Sequence, residues 1–472
     1  MGSKCRDIVV IGGGTAGLAA AVAAGRKGVD VLVLEKNATL GGNGNFPEGM
    51  FAVESDIQNQ LLVDARADEY FKMAMEYAHW RLNPRLIRAL IDKSGETISW
   101  LTDMGVEFET ALHHLPKMPE VFHVVKGPVG TGRAVMNAIK SALSELPVET
   151  ITKAAVIELK LNDKGTWNVT AQIGEKPVDI ETKNIIIATG GFAGNYDMIR
   201  RFIPSFDENE TILNMGIRHQ GDGVKMAEEI GAAIGDSVAL EMAAPKYRGQ
   251  PVLGMFLSKP NTIWINRRGV RFADEGLVYN FAESANAVWR QPGKECYVVF
   301  SEDIKNAIFK MGMDPVEQRA MSPDAIEKIP AAIKHETKTG LALCTNAIEE
   351  IAGFIGCDQA IFVNTIKEYN ESCSKGYDAI FAKDRKYMIP LSEGPYYVIK
   401  AGVGMIATHG GILTDEKMRV LDKNQQPMKG LYAAGIDVGD VDGDTYQLAL
   451  SGHAFSFSIN GGRIAGENAA ED

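Results

Sequence analysis

The sequence predicts an α/β fold in which a Rossmann-like dinucleotide-binding domain is interrupted by an inserted α+β cap domain. A strand, a glycine turn, an alanine-rich helix and a second strand follow one another between Arg6 and Glu35. A later apolar strand, in NIIIATGGF, also runs into a glycine turn. Motifs of this kind occur before about residue 235 and after about residue 376. We therefore predict a nucleotide-binding domain of residues 1–235 and 376–472, and a cap domain of residues 236–375.

Length, composition and charge limit the classes of protein to which the chain can belong. Its 472 residues suffice for two or three domains, and 45% hydrophobic with 23% charged residues is ordinary for a globular protein. The net charge of −12 disfavours nucleic acid or an anionic membrane as a partner. No apolar stretch is long enough to span a bilayer, and the N-terminus does not follow a secretion-signal pattern. We therefore expect a cytoplasmic protein.

The five cysteines are scattered along the chain and form neither a CxxC pair nor a haem-attachment motif. They predict no iron–sulfur cluster and no structural zinc, so the predicted site contains no metal. Such an odd, scattered set is typical of reduced, mostly buried thiols.

The first glycine turn has the residues that a dinucleotide requires. After the strand DIVVI, Gly12 permits a tight turn, Gly14 lets the backbone approach the pyrophosphate, and Gly17 lets helix and strand pack closely. The N-terminus of the following helix then faces the phosphates. Glu35, at the end of the second strand, is placed to accept hydrogen bonds from ribose hydroxyls. The predicted contacts of this motif are Gly12, Gly14, Thr15, Ala16, Gly17 and Glu35.

A second glycine turn favours FAD over NAD as the dinucleotide. The segment KNATLGGNGNF follows the acidic residue directly, and its first lysine adds a positive charge near the ribose. In flavoproteins with this layout such a loop runs along the pyrophosphate towards the isoalloxazine ring. An NAD domain would normally continue with further strand–helix units. The predicted contacts of this segment are Lys36, Gly41, Gly42, Asn43, Gly44 and Asn45.

The ordered set of motifs resembles the flavoprotein subunits of fumarate reductase and succinate dehydrogenase, a family that includes 3-ketosteroid dehydrogenases. After GGGTAG, LEK and GGN come IIIATGGFAGN, GDGVKMA, NRRGVRFADE, THGGILTD, GLYAAG and NGGRIAGENAA, over nearly the whole chain. The resemblance implies an FAD-binding domain of the glutathione-reductase type, with the substrate between it and the cap. The segments PEGMFAVES and NPRLIRALIDKSGETISWLTDMGV are most similar to soluble reductases of plant-derived phenolics, of the tetrahydrodaidzein reductase kind.

The resemblance also implies further contacts with FAD. The backbone of Ala155 would meet the adenine, and Gly435 would lie beside the ribityl chain. Where family members often carry Glu after that glycine, this chain has Ile436 and then Asp437. Asp222 either contacts a cofactor hydroxyl or caps a turn. The remaining implied contacts are Thr189, Gly190, Gly191, His409, Gly410, Asp437, Gly452, His453 and Ala454.

The last three of these residues would place backbone donors at the pyrimidine edge, where they stabilise a reduced, anionic flavin. The side chains of His409 and His453 either assist them or are packed histidines. FAD is expected to be non-covalent, because no histidine follows the GGN turn where succinate dehydrogenases attach it.

GVGMIA, residues 402–407, also fits the glycine pattern, but strand and turn residues follow it rather than a long helix. We predict no second dinucleotide domain. Electrons would then come from an external donor, either a reduced carrier or NAD(P)H without a dedicated site.

The residues at the substrate positions differ from those of fumarate reductases. Tyr279 stands where those enzymes have a proton-donating arginine. Ile406 and Ala407 stand in place of a histidine pair, and Ala449 lies in the neighbourhood of a missing C-terminal arginine. A dicarboxylate needs such charged partners, so fumarate or succinate is not the expected substrate. The 3-ketosteroid dehydrogenases resemble this chain in having a tyrosine at the place of Tyr279, and they have a second tyrosine that matches Tyr446 after a shift of about two residues. By this resemblance Tyr279 would take part in proton transfer and Tyr446 would hold a carbonyl oxygen, unless both are core aromatics.

These observations predict an FAD-dependent oxidoreductase that reduces or forms a C=C bond next to a carbonyl or similar activating group. The substrate would be an uncharged, cyclic or aromatic small molecule. Two alternatives stay open. One is a reductase of an unsaturated carboxylate, clamped by cap arginines such as Arg248, Arg267, Arg268 or Arg290. The other is a non-catalytic flavin electron-relay protein.

Helical periodicity predicts helices at Pro84–Met104, with Asn83 as its N-cap, at Gly132–Leu146 and at Asp358–Ser374. Arg271 is expected in a structural ion pair. His113, His114 and His123 are expected to be solvated loop residues.

Overall fold

The computed structural model describes residues 5–113, 116–127, 131–213, 216, 218–312 and 324–472. Its contacts divide the chain into two compact units. The first unit comprises Met1–Phe206, Met215–Glu241 and Ile406–Asp472, and the second comprises Asp207–Asn214 and Met242–Met405.

The boundaries differ from those that the sequence predicts, most clearly at the end of the second unit, which extends to residue 405 rather than 375. The strand that begins at Tyr396 explains the difference, because it pairs with Glu295–Ser301 over seven residues. Asp378 and Lys383 are likewise bound by residues of the second unit. Residues 376–405 therefore belong to the sheet and core of that unit.

The strands, in chain order, are β1 Arg6–Ile11, β2 Val31–Glu35, β3 Gly49–Phe51, β4 Phe108–Leu112, β5 Phe122–Val125, β6 Val148–Thr152, β7 Ala154–Leu161, β8 Trp167–Ile173, β9 Lys176–Ile187, β10 Thr211–Leu213, β11 Ala239–Lys246, β12 Ile263–Ile265, β13 Glu295–Ser301, β14 Ala342–Thr345, β15 Tyr396–His409, β16 Arg419–Leu421 and β17 Pro427–Ala433.

The helices are α1 Thr15–Gly25, α2 Asp56–Leu61, α3 Ala67–Tyr77, α4 Pro84–Asp92, α5 Ser94–Thr102, α6 Gly132–Leu143, α7 Tyr196–Phe202, α8 Asp222–Glu229, α9 Gly254–Leu257, α10 Phe281–Trp289, α11 Glu302–Met311, α12 Ala325–Thr339, α13 Ile348–Ile355, α14 Gln359–Lys375 and α15 His453–Ala469.

The main sheet of the first unit has the order β16-β17-β9-β1-β2-β6, and β7 and β8 extend it from β9. Strands β17, β9, β1, β2 and β6 run parallel, which explains why β1 and β2 are almost wholly apolar and buried. Helices α1 and α15 pack together, and the backbone of Ala16 and Ala20 lies where side chains at Gly462 and Gly466 would stand. A smaller antiparallel sheet has the order β3-β5-β4.

The predicted helix Pro84–Met104 is wrong as one element, because two helices, α4 and α5, meet at Lys93. Ser94 interrupts the pattern by donating to Ile91 O and accepting from Val53 N. Gly95 lies so close to Val53 that a Cβ there would stand 2.5 Å from its carbonyl oxygen. Asn83 caps α4 as predicted, accepting from the backbone of its first turn.

The other two predicted helices form with slightly different ends, as α6 and α14. Residues 402–407 lie within strand β15, which confirms that GVGMIA does not begin a nucleotide-binding helix.

The second unit contains a mixed sheet in the order β10-β15-β13-β12, with β11 and β14 also paired to β15. Strand β13 is buried along its whole length, since this sheet has helices packed on it. In the part of the chain that the structure describes, no helix is both long and apolar enough to cross a bilayer.

Candidate active site

The glycine turns singled out in the sequence meet at one edge of the main sheet. Parallel pairing aligns Ile11 of β1 with Leu34 of β2 and with Ile187 of β9, and Ile187 in turn with Ala433 of β17. The turns that follow these strands therefore emerge side by side. Ligands of open α/β sheets bind at this carboxyl edge.

The first turn packs closely against neighbouring backbone at Gly12 and Gly17 but leaves open space at Gly14. Gly12 has φ +109°, and a Cβ there would stand 2.2 Å from Ala188 O. A Cβ at Gly17 would stand 1.9 Å from Gly12 O, so the start of α1 lies directly on the turn. At Gly14, by contrast, no atom of another residue outside its immediate neighbours lies within 4 Å of where a Cβ would stand. Gly14 caps α1 without a side-chain acceptor, which leaves the first N–H groups for an anion.

The second turn lies against the first. Gly41 N donates to Gly13 O at 2.8 Å, and a Cβ at Gly42 would stand 3.5 Å from Gly14 Cα. Gly44 packs closely against Thr15, because a Cβ at Gly44 would stand 2.2 Å from Thr15 Oγ1. Asn45 Nδ2 donates to Gly42 O and closes the turn. Residues 41–45 and the N-terminus of α1 thus form one surface.

Glu35 is held in place at the end of β2, where it is only 8% exposed. Its carboxylate accepts from Gly13 N at 2.8 Å and from Asn37 N at 2.7 Å. A carboxylate has about four acceptor positions, so it can still bind a ribose hydroxyl. Lys36 Nζ, beside it, pairs with Asp222 Oδ2 at 2.6 Å. Asp222 is the first residue of α8, and this ion pair engages its carboxylate; its contact with a cofactor hydroxyl stays a prediction.

The glycine turn after β9 is held by Asp437. Its fully buried carboxylate accepts from the backbone N–H groups of Thr189, Gly190 and Gly191, and from the Thr189 hydroxyl at 3.0 Å. Two glycines with positive φ, +89° and +74°, allow three successive amides to converge on one side chain. Asp437 therefore positions the turn, and its predicted contact with the cofactor stays a prediction.

The other predicted contacts occupy different parts of the first unit. Ala155 lies on β7, opposite Gln172 of β8. Gly410 N donates to Ile436 O at 3.3 Å, beside Gly435, where a Cβ would stand 2.9 Å from that of Ala16. Gly452, with φ +84°, is the N-cap of α15, and His453 and Ala454 begin that helix.

Two histidines and two carboxylates form a buried cluster next to these residues. His409 Nε2 lies 3.1 Å from Glu241 Oε2, and its Nδ1 lies 3.0 Å from Asp442 Oδ2. His453 Nε2 lies 2.9 Å from Asp442 Oδ1, and its Nδ1 lies 3.1 Å from Leu450 O. Each imidazole thus faces acceptors at both nitrogens.

The charges of the cluster stabilise one another. Burial lowers the pKa of His409, but Asp442 and Glu241 outweigh it and raise this pKa to about 10. Burial raises the pKa of Asp442, but the two histidines outweigh it and lower this pKa well below its usual value. His409 is therefore an imidazolium between two carboxylates at neutral pH.

No metal was predicted from the sequence, but among the described residues His409, Asp442 and His453 have ligand atoms within 4.8 Å of one another, a spacing that would admit an ion. Hydrogen bonds already account for every one of these atoms, which favours a protonated network over an ion.

Tyr446 packs on this cluster and is almost fully buried. Its ring stacks on His453 with centroids 4.4 Å apart and meets the edge of His409 at 5.2 Å. Burial, followed by the charges of Glu241 and Asp442, raises the pKa of Tyr446 well above its usual value. Its hydroxyl is therefore a neutral hydrogen-bond donor at every ordinary pH. His409 and His453 also line a small cavity with Gly435, Ile436 and Ala454.

These features fit a flavin dinucleotide. An open position at Gly14, uncapped amides of α1, an oriented acid at Glu35 and a long glycine surface at residues 41–45 are what a pyrophosphate and a ribose require. A sequence model of the family described as "FAD binding domain" matches residues 7–449.

The chain is also 31% identical over 484 residues to the vinyl phenol reductase of Lactiplantibacillus plantarum, covering 98% of this chain and 96% of that protein. The chain belongs to the FAD-binding family of the fumarate reductase and succinate dehydrogenase flavoproteins.

More distant members of the family are also similar. The NADH:fumarate oxidoreductase of Klebsiella pneumoniae is 26% identical over 471 residues, covering 99% of this chain but 48% of that protein. The crystal structure of a 3-ketosteroid Δ1-dehydrogenase from Sterolibacterium denitrificans, in complex with 1,4-androstadiene-3,17-dione, covers 99% of both chains with a TM-score of 0.79. Because the sequence identity to this dehydrogenase is 17%, the structural similarity is evidence for the fold alone. As a member of this family, the protein binds FAD and is a flavin-dependent oxidoreductase of C=C bonds.

Tyr279, the predicted proton donor of this family member, lies in the second unit. It ends the 3₁₀ turn Glu275–Tyr279 and is half-buried. Its hydroxyl donates to the Tyr387 hydroxyl at 3.2 Å. Arg271 makes the predicted structural ion pair with Glu275, bonding it through Nε and Nη2 at 2.8 Å, and it also binds Asp378.

Sequence reasoning missed several of these residues. Asp442, Glu241 and Tyr387 carry no motif, and only their placement reveals them. His219 was also missed: its ring lies against the turn at Gly190, and its Nδ1 has no partner among the described residues. Its position two residues before the GDG motif was the one available signal.

The histidines and cysteines partly contradict the predictions. His123 is fully buried in β5, where its Nε2 meets Ser55 Oγ at 2.7 Å and burial lowers its pKa to about 4. His113 is half-exposed and pairs with Glu120, whereas His114 lies outside the described residues. All five cysteines are free, but only Cys296 is buried, so the prediction of mostly buried thiols is wrong.

Proposed function

We propose that the protein reduces a C=C bond conjugated to a carbonyl, a phenol or a similar activating group in an uncharged, cyclic or aromatic substrate. The observation that carries the proposal is the phenol of Tyr279 at the place where fumarate reductases carry arginine. The neighbouring Arg271 cannot replace that arginine, because Glu275 and Asp378 occupy its guanidinium. The similarity to a vinyl phenol reductase supports the same substrate class.

The proposed chemistry divides between two tyrosines. The flavin, when bound, supplies hydride to one alkene carbon. Tyr279 gives a proton to the other carbon as general acid. Tyr446 donates a hydrogen bond to the oxygen of the activating group and remains neutral, because its burial, and then the carboxylates beside it, raise its pKa. An uncharged substrate suits a phenol at each position, since neither offers the charge-assisted bonds that a carboxylate requires.

We further propose that FAD is bound without a covalent link, since no histidine follows the GGN turn at residues 41–43. The electrons would come from an external donor, a reduced carrier or NAD(P)H in transient contact. The five free cysteines support a reducing, cytoplasmic location.

An anaerobic reoxidation experiment tests the function. The FAD of the purified protein is reduced with dithionite, and 4-vinylphenol, a cyclic enone, an acrylate and fumarate are added separately. We expect the phenol or the enone to restore the absorbance of oxidised flavin and to yield the saturated product. Reoxidation by fumarate or acrylate alone would refute the substrate class, and reoxidation by none of the compounds would favour an electron-relay protein.

Variants of Tyr279 test the mechanism. General acid catalysis contributes roughly 100–10,000-fold, so Tyr279→Phe should slow reoxidation by at least the lower figure while FAD stays bound. A loss of only a few-fold would make Tyr279 a packing residue.

A carboxylate reductase remains the second candidate, because one of the relatives is an NADH:fumarate oxidoreductase. Two of the proposed clamp residues are already engaged: Arg267 pairs with Glu295, and Arg248 donates to the backbone of Asn209 and Thr211. Arg268 and Arg290 would have to supply the clamp. Arg290→Gln should abolish reoxidation by acrylate if that candidate is correct.

A further inference from the structure

The hydroxyl of Tyr279 is the inner end of a row of proton-carrying groups within the second unit. Its Oη lies 3.2 Å from Tyr387 Oη, and the two rings have centroids 6.1 Å apart. Tyr387 is buried, and Tyr279 is half-buried. A hydroxyl donates one hydrogen bond and accepts two, so each of these groups can pass a proton to the other.

The outer end of the row is Lys386, whose side chain is exposed to solvent. Its Nζ lies 4.8 Å from the centroid of the Tyr387 ring. It also lies 3.2 Å from Asp384 Oδ2, and Asp384 caps the 3₁₀ turn Arg385–Tyr387. Asp384, and then the hydroxyl of Tyr387, raise the pKa of Lys386, which therefore carries a proton throughout the neutral range.

Buried charges hold the two halves of the row together. Glu275 begins the turn that ends at Tyr279, and Lys383 lies four residues before Tyr387. Lys383 Nζ lies 3.1 Å from Glu275 Oε2, and Arg271 joins Glu275 to Asp378. Since these four side chains are almost completely buried, the segments carrying Tyr279 and Tyr387 are tied at fixed spacing. Such a scaffold suits a relay, which fails if its members drift apart by an ångström.

We propose that Lys386 and Tyr387 form the path that returns a proton from solvent to Tyr279 after each turnover. This rests on the proposed function, in which Tyr279 is the acid. As the new C–H bond forms, the O–H bond of Tyr279 breaks and leaves a phenolate. The phenolate takes the proton of the Tyr387 hydroxyl, Tyr387 takes one from the Lys386 ammonium, and Lys386 takes one from water. Only protons move along the row, and the electron pair comes from the reduced flavin.

The test compares the steady-state rate at which wild type and variants consume 4-vinylphenol or a cyclic enone without oxygen, with excess dithionite re-reducing the flavin so that each molecule turns over many times. Tyr387→Phe keeps the ring and removes the hydroxyl. We expect the rate to fall about 10-fold or more, which is part of the effect of general acid catalysis. A small acid such as imidazolium should restore the rate as its concentration rises, whereas wild type should not respond. Lys386→Gln, at an exposed position that does not endanger folding, should show the same response with a smaller loss.

Two matched controls lie in the same unit. Tyr377→Phe makes the same change at a side chain that is 65% exposed, and Lys328→Gln removes a surface lysine paired with Asp324 at 2.8 Å. Both should react as wild type does.

The outcomes separate the two proposals. A wild-type rate in Tyr387→Phe and Lys386→Gln would overturn the relay alone. A loss that imidazolium does not restore would overturn it too, by assigning both residues a structural role. A wild-type protein that no alkene reoxidises would overturn the proposed function and the relay with it.

Discussion

Asp442 holds together the buried histidine cluster, and replacing it with asparagine should have a large, pH-dependent effect on stability. The carboxylate lies 3.0 Å from His409 Nδ1 and 2.9 Å from His453 Nε2, with no exposed surface. Removing one member of a buried ion pair commonly costs roughly 3–5 kcal/mol, because the partner charge is left uncompensated. At pH 7 we expect the free energy of unfolding of Asp442→Asn to be lower than that of wild type by an amount in this range.

The pH dependence follows from the raised pKa of His409. An unperturbed histidine, as in the unfolded chain, has a pKa of 6.5, whereas the pKa of His409 in the folded protein is about 10. The stability that protonated His409 contributes is fully present below pH 6.5 and is lost as pH rises through about 10. Each pH unit in this window costs about 1.4 kcal/mol, so the wild type should lose about 3 kcal/mol from this group between pH 7 and pH 9. Asp442→Asn should lose clearly less, since Glu241 alone remains to stabilise the cation.

Urea unfolding followed by tyrosine and tryptophan fluorescence at pH 6, 7, 8 and 9 measures both effects. The matched control is Asp444→Asn, because Asp444 is two residues away with an exposed side chain paired to Arg81. It should unfold as wild type does at every pH. An Asp442→Asn protein with the wild-type pH slope would refute the assignment of His409 as an imidazolium stabilised by Asp442.

Three further substitutions test the site and its support. Asp437→Asn should weaken FAD binding by about 10-fold or more in a fluorescence titration of the apoprotein, because an amide cannot accept from three converging N–H groups as a carboxylate does; unchanged affinity would contradict its positioning role. Tyr446→Phe should slow reoxidation by an enone while leaving the solvent isotope effect at its wild-type value, and a changed isotope effect would instead make Tyr446 a proton donor. Glu275→Gln should lower the free energy of unfolding by roughly 3–5 kcal/mol in urea, since Arg271 and Lys383 would lose a buried partner; a loss below about 1 kcal/mol would contradict this.

The nucleotide site is the part that could be predicted most fully from the sequence. Gly12, Gly14 and Gly17 have the spacing that a tight turn and a helix N-terminus impose, and the structure gives this segment that form. The signal is local, since backbone conformation and close packing within about 30 residues require glycine at fixed places. For the same reason the cap at Asn83 and the extended form of residues 402–407 were readable from neighbouring residues.

Other features depended on partners that are distant in the chain. Asp437 binds the turn at Thr189, 248 residues earlier, and Tyr279 meets Tyr387, 108 residues later. Nothing near either residue identifies the other member of the pair. The long predicted helix failed for a related reason, because Val53 approaches it at Ser94 and Gly95 and interrupts it.

The sequence by itself determined the class of cofactor, the order of the glycine turns and the absence of an arginine at position 279. Each of these is a property of residue identity at short spacing, where steric limits on the backbone leave little choice. Only the tertiary structure decided which buried carboxylate stabilises which cation, and which hydroxyl lies beside Tyr279. Strand order and helix packing bring such groups together, and the free energy of a buried charge depends on the few ångströms between it and its partner.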